Sequence, residues 1–191
     1  MATSALHREL GVPARTTVNY DLLCKLVEYG VREQSDLDFK QELYHPKNEK
    51  QKQELVKDVC AMANTGGGWI ICGIAEDDSV AANVIGVNLE KTSETDVHQM
   101  LENRLDPPVT VDIRVYESAD GEKTLVAIRI PDSPEQPHLA RVTKPEGQSN
   151  LWTQKLFEFH LGKVQVQSGW MREQFAACIA RFSASPKKQV T

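Results

Sequence analysis

The stretch from Val56 to Asp78, VKDVCAMANTGGGWIICGIAEDD, constrains this chain more than any other. Leu55, Val56, Val59, Met62 and Ala63 recur at helical spacing, which predicts a helix with one inward face. Asn64-Thr65-Gly66 ends it, because glycine takes a left-handed cap position without a Cβ penalty. Trp69 to Ile74 (WIICGI) then forms a nearly continuous apolar run, the pattern of a central strand covered on both faces. Glu76, Asp77 and Asp78 follow as an acidic loop at its exit. A phosphate loop runs strand, glycines, helix, so that helix N-terminal amides meet the anion. Here the glycines follow a helix C-terminus, whose dipole repels phosphate, and no Gly-Lys-Ser/Thr follows. The turn reads as a helix cap with close backbone packing, not as an ATP site.

The elements around this stretch follow from periodicity and punctuation. Residues 1–17 read as a flexible arm. Leu22, Leu23, Leu26 and Val27 predict a helix over Asp21 to Gly30. Asp36 to Lys40 alternates as a strand would, turning Leu37 and Phe39 inward and Asp36, Asp38 and Lys40 to the opposite face. Residues 45–53 form a polar connection carrying Lys47, Lys50 and Lys52. Val84 to Val87 is a short apolar piece, and Ser93 with Asp96 forms a capping pair ahead of Val97, Met100, Leu101 and Leu105. Pro107-Pro108 ends that helix. Val109 to Tyr116 and Lys123 to Ile130 read as a hairpin, and Pro131 to Pro137 leaves the sheet. Residues 141–162 read as strand or short helix, Lys163 to Gln167 as a strand and Trp170 to Phe182 as a final helix. Together these predict an α/β or α+β domain over residues 18–183 on one mixed sheet with packed helices, followed by a disordered tail at 184–191.

Charge and cysteine usage exclude some roles. A net charge of -5 over 191 residues argues against a protein that coats nucleic acid non-specifically, though it permits a local basic groove. Lys47, Lys50, Lys52 and Lys57 lie close together in sequence, but Glu49, Glu54 and Asp58 are interleaved as on a solvated helix face. Cys24, Cys60, Cys72 and Cys178 sit among apolar residues without a CxxC pair, which reads as reduced thiols in a cytoplasmic protein. No apolar run approaches the roughly 20 residues of a membrane span.

The acids carry the strongest chemical signal. Glu33, Asp36 and Asp38 with Glu76 and Asp77 would converge if their two strand regions were neighbours. Three convergent carboxylates hold Mg²⁺ or Mn²⁺, which generates a nucleophilic water at a phosphodiester. Lys40, on the face of Asp38, would neutralise charge on the scissile phosphate. The alternative is a solvated strand face plus a polar loop, with Lys40 in weak surface pairs. Acids are poor strand formers, so two on one short strand ask for a reason.

These residues resemble a known family. EQSDLDFK, Glu33 to Lys40, is similar to the ExxxxEFK signature of the Schlafen-type AlbA-like domain. DVCAMANTGGGWIICGIAEDD resembles the family's helix ending in AxANTxGG, its strand and its acidic GVDD-like loop. VIGV at Val84 to Val87 and AIRIPDSPEQPH continue the order, so the resemblance covers roughly residues 18–170. It implies a small mixed-sheet α/β domain that binds nucleic acid, with transfer-RNA-like RNA ahead of DNA. In animal Schlafens a pair of such lobes cleaves RNA with three carboxylates and Mg²⁺ or Mn²⁺. By motif those carboxylates fall on Glu33, on Asp38 and on Glu76 or Asp77. Asp38 stands where the family usually has glutamate, and Gln167 where it has arginine. A single lobe implies a homodimer, with apolar surface near Trp152 and Phe157 covered by the partner, or a separate effector protein. The resemblance leaves three roles open: a metal-dependent endoribonuclease, a non-catalytic DNA- or RNA-binding regulatory module, and a protein-interaction domain.

Overall fold

Central strands whose side chains alternate between two buried faces build the fold, which a computed structural model describes for residues 5–140. These residues lie within one unit of the chain, Met1–Val142. A four-stranded sheet runs in the order β1 (Leu37–Lys40), β2 (Gly68–Cys72), β7 (Thr124–Ile130) and β6 (Asp112–Glu117). β1 and β2 are parallel, and the other two pairings are antiparallel, so the sheet is mixed as expected. On one face Ile70, Cys72, Val126, Ile128 and Ile130 pack with α3 (Glu49–Ala63) and α4 (Glu94–Glu102). On the other, Trp69, Ile71, Leu125 and Ala127 pack with α1 (Ala5–Glu9) and α2 (Tyr20–Glu28). The alternation follows from the period of two along a strand, and it makes β2 the doubly covered strand that its composition predicts.

The glycine turn acts as a cap and a close-packing point. The Thr65 and Gly67 N–H groups donate to the Met62 carbonyl at 2.9 and 2.8 Å, satisfying the end of α3. Leu37 and Phe39 are buried toward α1 and α2, which leaves Asp38 and Lys40 on the α3 side of the sheet edge. The β6–β7 hairpin and the Ser93–Asp96 capping box also form where the sequence places them.

Several expectations need correction. α3 begins at Glu49, inside the stretch read as a polar connection, because the Asn48 side chain accepts from the Lys50 and Gln51 N–H groups. The run from Trp69 to Ile74 is not one strand: Gly73, at φ 99°, breaks it and donates its N–H to the Lys40 carbonyl at 2.7 Å. Glu76 and Asp77 are then not in a loop but in β3 (Ile74–Asp77), paired with β4 (Val80–Val84) around Asp78 and Ser79 at positive φ. α4 stops at Glu102, and Leu105 belongs to a two-residue strand, β5 (Leu105–Asp106), paired with β8 (Leu139–Ala140). Within the stretch read as a free arm, Ala5 to Leu10 is packed, since Leu6 is fully buried in the α1–α2 core. The elements expected beyond residue 140, and with them Trp152, Phe157 and Gln167, lie outside the described residues.

Candidate functional site

The site grows from the half-buried edge where β1 passes α3. Asp38 and Lys40, two residues apart on one strand face, meet as an ion pair with Nζ 2.5 Å from Asp38 Oδ2. The same Nζ lies 3.6 Å from Asp58 Oδ2 on α3. The Tyr44 hydroxyl, buried in the core at the sheet edge, donates to Asp58 Oδ2 at 3.3 Å. Glu33 approaches from the chain before β1, where its Oε1 accepts the Phe39 N–H at 2.9 Å. Its carboxyl lies near that of Asp38, and the two can share a hydrogen bond when one of them is protonated.

Electrostatics follow from this geometry. Burial raises both the Glu33 and Asp38 carboxyls above the usual carboxylate range. The hydrogen bond between them favours holding one proton on Glu33 while Asp38 stays the acceptor, and Lys40 works to keep Asp38 ionised. Burial likewise raises Asp58, against the pull of Lys40. Lys40 loses solvation too, but the surrounding acids outweigh that loss and hold its proton more tightly.

The predicted acids separate into three groups. Glu33 and Asp38 are brought together. Asp36 is turned away, with both carboxylate oxygens 3.2 Å from the Arg8 guanidinium, because the Gln34–Leu37 bridge bends the chain before β1 begins. Glu76 and Asp77 are exposed on β3. Their hairpin is tied to the same segment of chain: the Glu33 N–H donates to the Ser79 carbonyl at 2.7 Å, and Arg32 donates to the Asp78 carbonyl at 2.7 Å. Among the described residues no three His, Cys, Asp or Glu side chains are grouped to hold a metal ion. As they stand, Asp38 is paired with Lys40 and Glu33 accepts the Phe39 amide.

Sequence reasoning missed Asp58 and Tyr44. Glu54 and Asp58 stand four residues apart, a like-charged helix pair that is mildly unfavourable in isolation; that spacing was the available signal. Of the basic residues near the start of α3, Lys52 and Arg104 both pair with Glu49, the latter through two bonds of 2.6 and 2.9 Å. Lys47 and His45 line an open cleft of about 830 Å³ together with Gln51, Ile85 and Val87.

The amino-acid sequence matches the family described as Schlafen, AlbA_2 over residues 33–155, a span that begins at Glu33 itself. The chain belongs to that family. Membership supports a nucleic-acid-related role for this Schlafen AlbA_2 domain. No curated protein matches the chain. Among solved structures it is similar to the DIP2311 protein of Corynebacterium diphtheriae, at 20% identity and a TM-score of 0.42. That similarity covers 76% of this chain and 29% of the Corynebacterium protein, so the chain spans under a third of that protein's length. It is also similar to the N-terminal domain of a RecG-related protein of Nitrosomonas europaea, named for an ATP-dependent DNA helicase. The identity there is 18% and the TM-score 0.45, over 71% of this chain and 88% of that one. Among the described residues no helix is long and apolar enough to cross a membrane.

Proposed function

We propose that this Schlafen AlbA_2 domain binds RNA in preference to DNA, along the sheet edge where β1 passes α3. The observation that carries this is the coincidence of the family span with the Glu33–Asp38–Lys40–Asp58 network at that edge. The preference for RNA rests on the resemblance to animal Schlafens. A cytoplasmic setting suits the thiols of Cys24 and Cys72, which form no disulfide among the described residues. The test is binding of end-labelled transfer RNA, single-stranded RNA and duplex DNA across a salt series. Each neutralised phosphate of a single strand contributes a slope of about -0.7 in log affinity against log salt. RNA binding that is salt-dependent and stronger than DNA binding is expected. Absence of binding to all three overturns the reading in favour of a protein-interaction domain.

A second reading, an endoribonuclease dependent on Mg²⁺ or Mn²⁺, is favoured by one observation. The hairpin bearing Glu76 and Asp77 is hydrogen-bonded to the backbone of Glu33, so the third carboxylate of the family motif is tethered to the first. Glu33, Asp38 and Asp77 or Glu76 would be its acids and Lys40 its cation. Discrete RNA cleavage that requires the metal and is abolished by Glu33→Ala/Asp38→Ala supports it. Intact RNA with either metal excludes it and leaves the binding reading in place. A homodimer, the other expectation for a single lobe, is decided by the mass in light scattering.

A further inference from the structure

The four-stranded sheet has two edges, β1 and β6, and among the described residues only β1 is closed by its own chain. Gln34 and Leu37 exchange backbone hydrogen bonds of 2.8 and 3.2 Å there, and Glu33 Oε1 accepts the Phe39 N–H. β6 is paired only with β7 among the described residues. It carries no proline, lysine or bulge, the usual devices that keep an edge from pairing with another chain. Val115 on it is 49% exposed.

The hairpin fixes which backbone groups point outward. The Ser118 N–H donates to the Lys123 carbonyl at 2.8 Å, and hydrogen-bonding direction alternates along an antiparallel strand. Tyr116, Arg114 and Asp112 therefore turn their N–H and C=O groups to β7, while Ile113, Val115 and Glu117 turn theirs outward. Upstream, Val109 and Val111 are buried and Thr110 and Asp112 exposed, so the extended run reaches back to Val109.

A second copy of this strand fits that edge. Two-fold antiparallel pairing of the outward groups allows an axis at Ile113, at Arg114 or at Val115. An axis at Arg114 sets two arginines face to face, and one at Val115 sets no opposite charges across it. An axis at Ile113 places Asp112 opposite the partner's Arg114 and Arg114 opposite the partner's Asp112. It also pairs the whole run from Val109 to Glu117. Asp112 and Arg114 already lie 3.2 Å apart on one strand face, with side chains 46% and 61% exposed, so the four charges would alternate in sign. We propose that β6 is a dimerisation edge, joining two copies of this chain in antiparallel register about Ile113 into one continuous sheet. The inference is independent of the RNA reading, and it sets the two β1 edges at opposite ends of the joined sheet.

Sedimentation velocity on the full chain over a concentration series reads the association directly. A mass rising with concentration from 21.4 kDa toward twice that value is expected. Asp112→Arg and Arg114→Asp each set like charges across the axis twice, and each is expected to weaken dimerisation by about 10-fold, the scale of two cross-strand pairs. The double variant Asp112→Arg/Arg114→Asp restores opposite charges and is expected to dimerise within about 3-fold of the unaltered chain. A cysteine cross-link supplies a second measurement, which decides if a charge variant fails to fold. Residues facing each other at such an axis have Cα atoms about 5.5 Å apart, within disulfide range. Mild oxidation is expected to link Ile113→Cys into dimers above the level of the unaltered chain. Val115→Cys is expected to stay at that level, because its copies lie about 14 Å apart in this register. A monomeric mass throughout, single charge variants that dimerise like the unaltered chain, or a double variant as weak as the singles overturns the proposal. So does cross-linking of Val115→Cys in place of Ile113→Cys.

Discussion

Replacing Gly67 by alanine tests whether the glycine turn is a packing device, and its neighbour supplies the control. A Cβ at Gly67 would lie 2.6 Å from the Ile130 carbonyl oxygen, 2.7 Å from the Asp132 nitrogen and 2.8 Å from the Pro131 carbonyl carbon. All three are backbone atoms where β7 leaves the sheet, so no rotamer change relieves them. A Cβ at Gly66 would meet nothing within 4 Å. Both residues have positive φ, +103° at Gly66 and +84° at Gly67, so both alanines carry a backbone cost of about 1–2 kcal/mol. Both also gain about 0.4–1 kcal/mol from a stiffer unfolded chain. Only Gly67→Ala adds overpacking, worth about 1–3 kcal/mol. The difference between the variants is therefore about 1–3 kcal/mol, a substantial part of a stability on the order of 10 kcal/mol. In urea denaturation, at a slope of about 2 kcal/mol/M, the midpoints are expected to separate by about 0.5–1.5 M with Gly67→Ala the lower. Coincident midpoints, or Gly66→Ala as the less stable protein, would refute the packing argument.

Three further outcomes are expected. Burial raises the Glu33 carboxyl above its unfolded range, so the folded state holds that proton more tightly than the unfolded chain. Its contribution is thus fully present below the unfolded value of about 4 and is lost as pH climbs through the folded one. Glu33→Gln, which cannot ionise, is expected to gain stability relative to the unaltered protein as pH rises from 4 to 7 in urea titrations; a flat or falling difference contradicts this. Asn48→Ala removes the side chain that accepts from Lys50 and Gln51 at the start of α3, and a loss of about 1 kcal/mol is expected in the same assay. Leu6→Ala is expected to cost about 2–4 kcal/mol because Leu6 is fully buried; a cost near zero would return the N-terminus to a free arm.

What was legible before the structure was whatever local spacing encodes. The inward face of α3, the doubly covered β2, the Ser93–Asp96 box and the β6–β7 hairpin all rest on periods of 3.6 or 2 and on caps a few residues long. The errors arose where a local signal met a longer-range one. Asp36 shares the strand pattern of Asp38, but it lies before the strand and answers to Arg8. Glu76 and Asp77 read as a loop because three acids follow a glycine-broken apolar run, whereas pairing with β4 draws them into a hairpin. Lys40 shares the face of Asp38 as the spacing predicts, but only packing brings Asp58 of α3 within 3.6 Å of the same ammonium.

The amino-acid sequence alone determined that α2, α3, α4, β1, β2 and the β6–β7 hairpin form and which side of α3 and β1 is buried, and its resemblance to a family signature placed Glu33, Asp38 and Lys40 in one motif. The elements and their buried sides follow from backbone periodicity and the transfer of apolar surface from water, both properties of neighbours along the chain; the motif follows from the resemblance to a family signature. Only the tertiary structure decided that Asp58 and Tyr44 complete the network, that Asp36 leaves it, and that Glu76 and Asp77 stand apart on a tethered hairpin. Those outcomes depend on which element lies across from β1. A carboxylate's partner is set by packed geometry over a few ångströms, and spacing along the chain does not carry that distance.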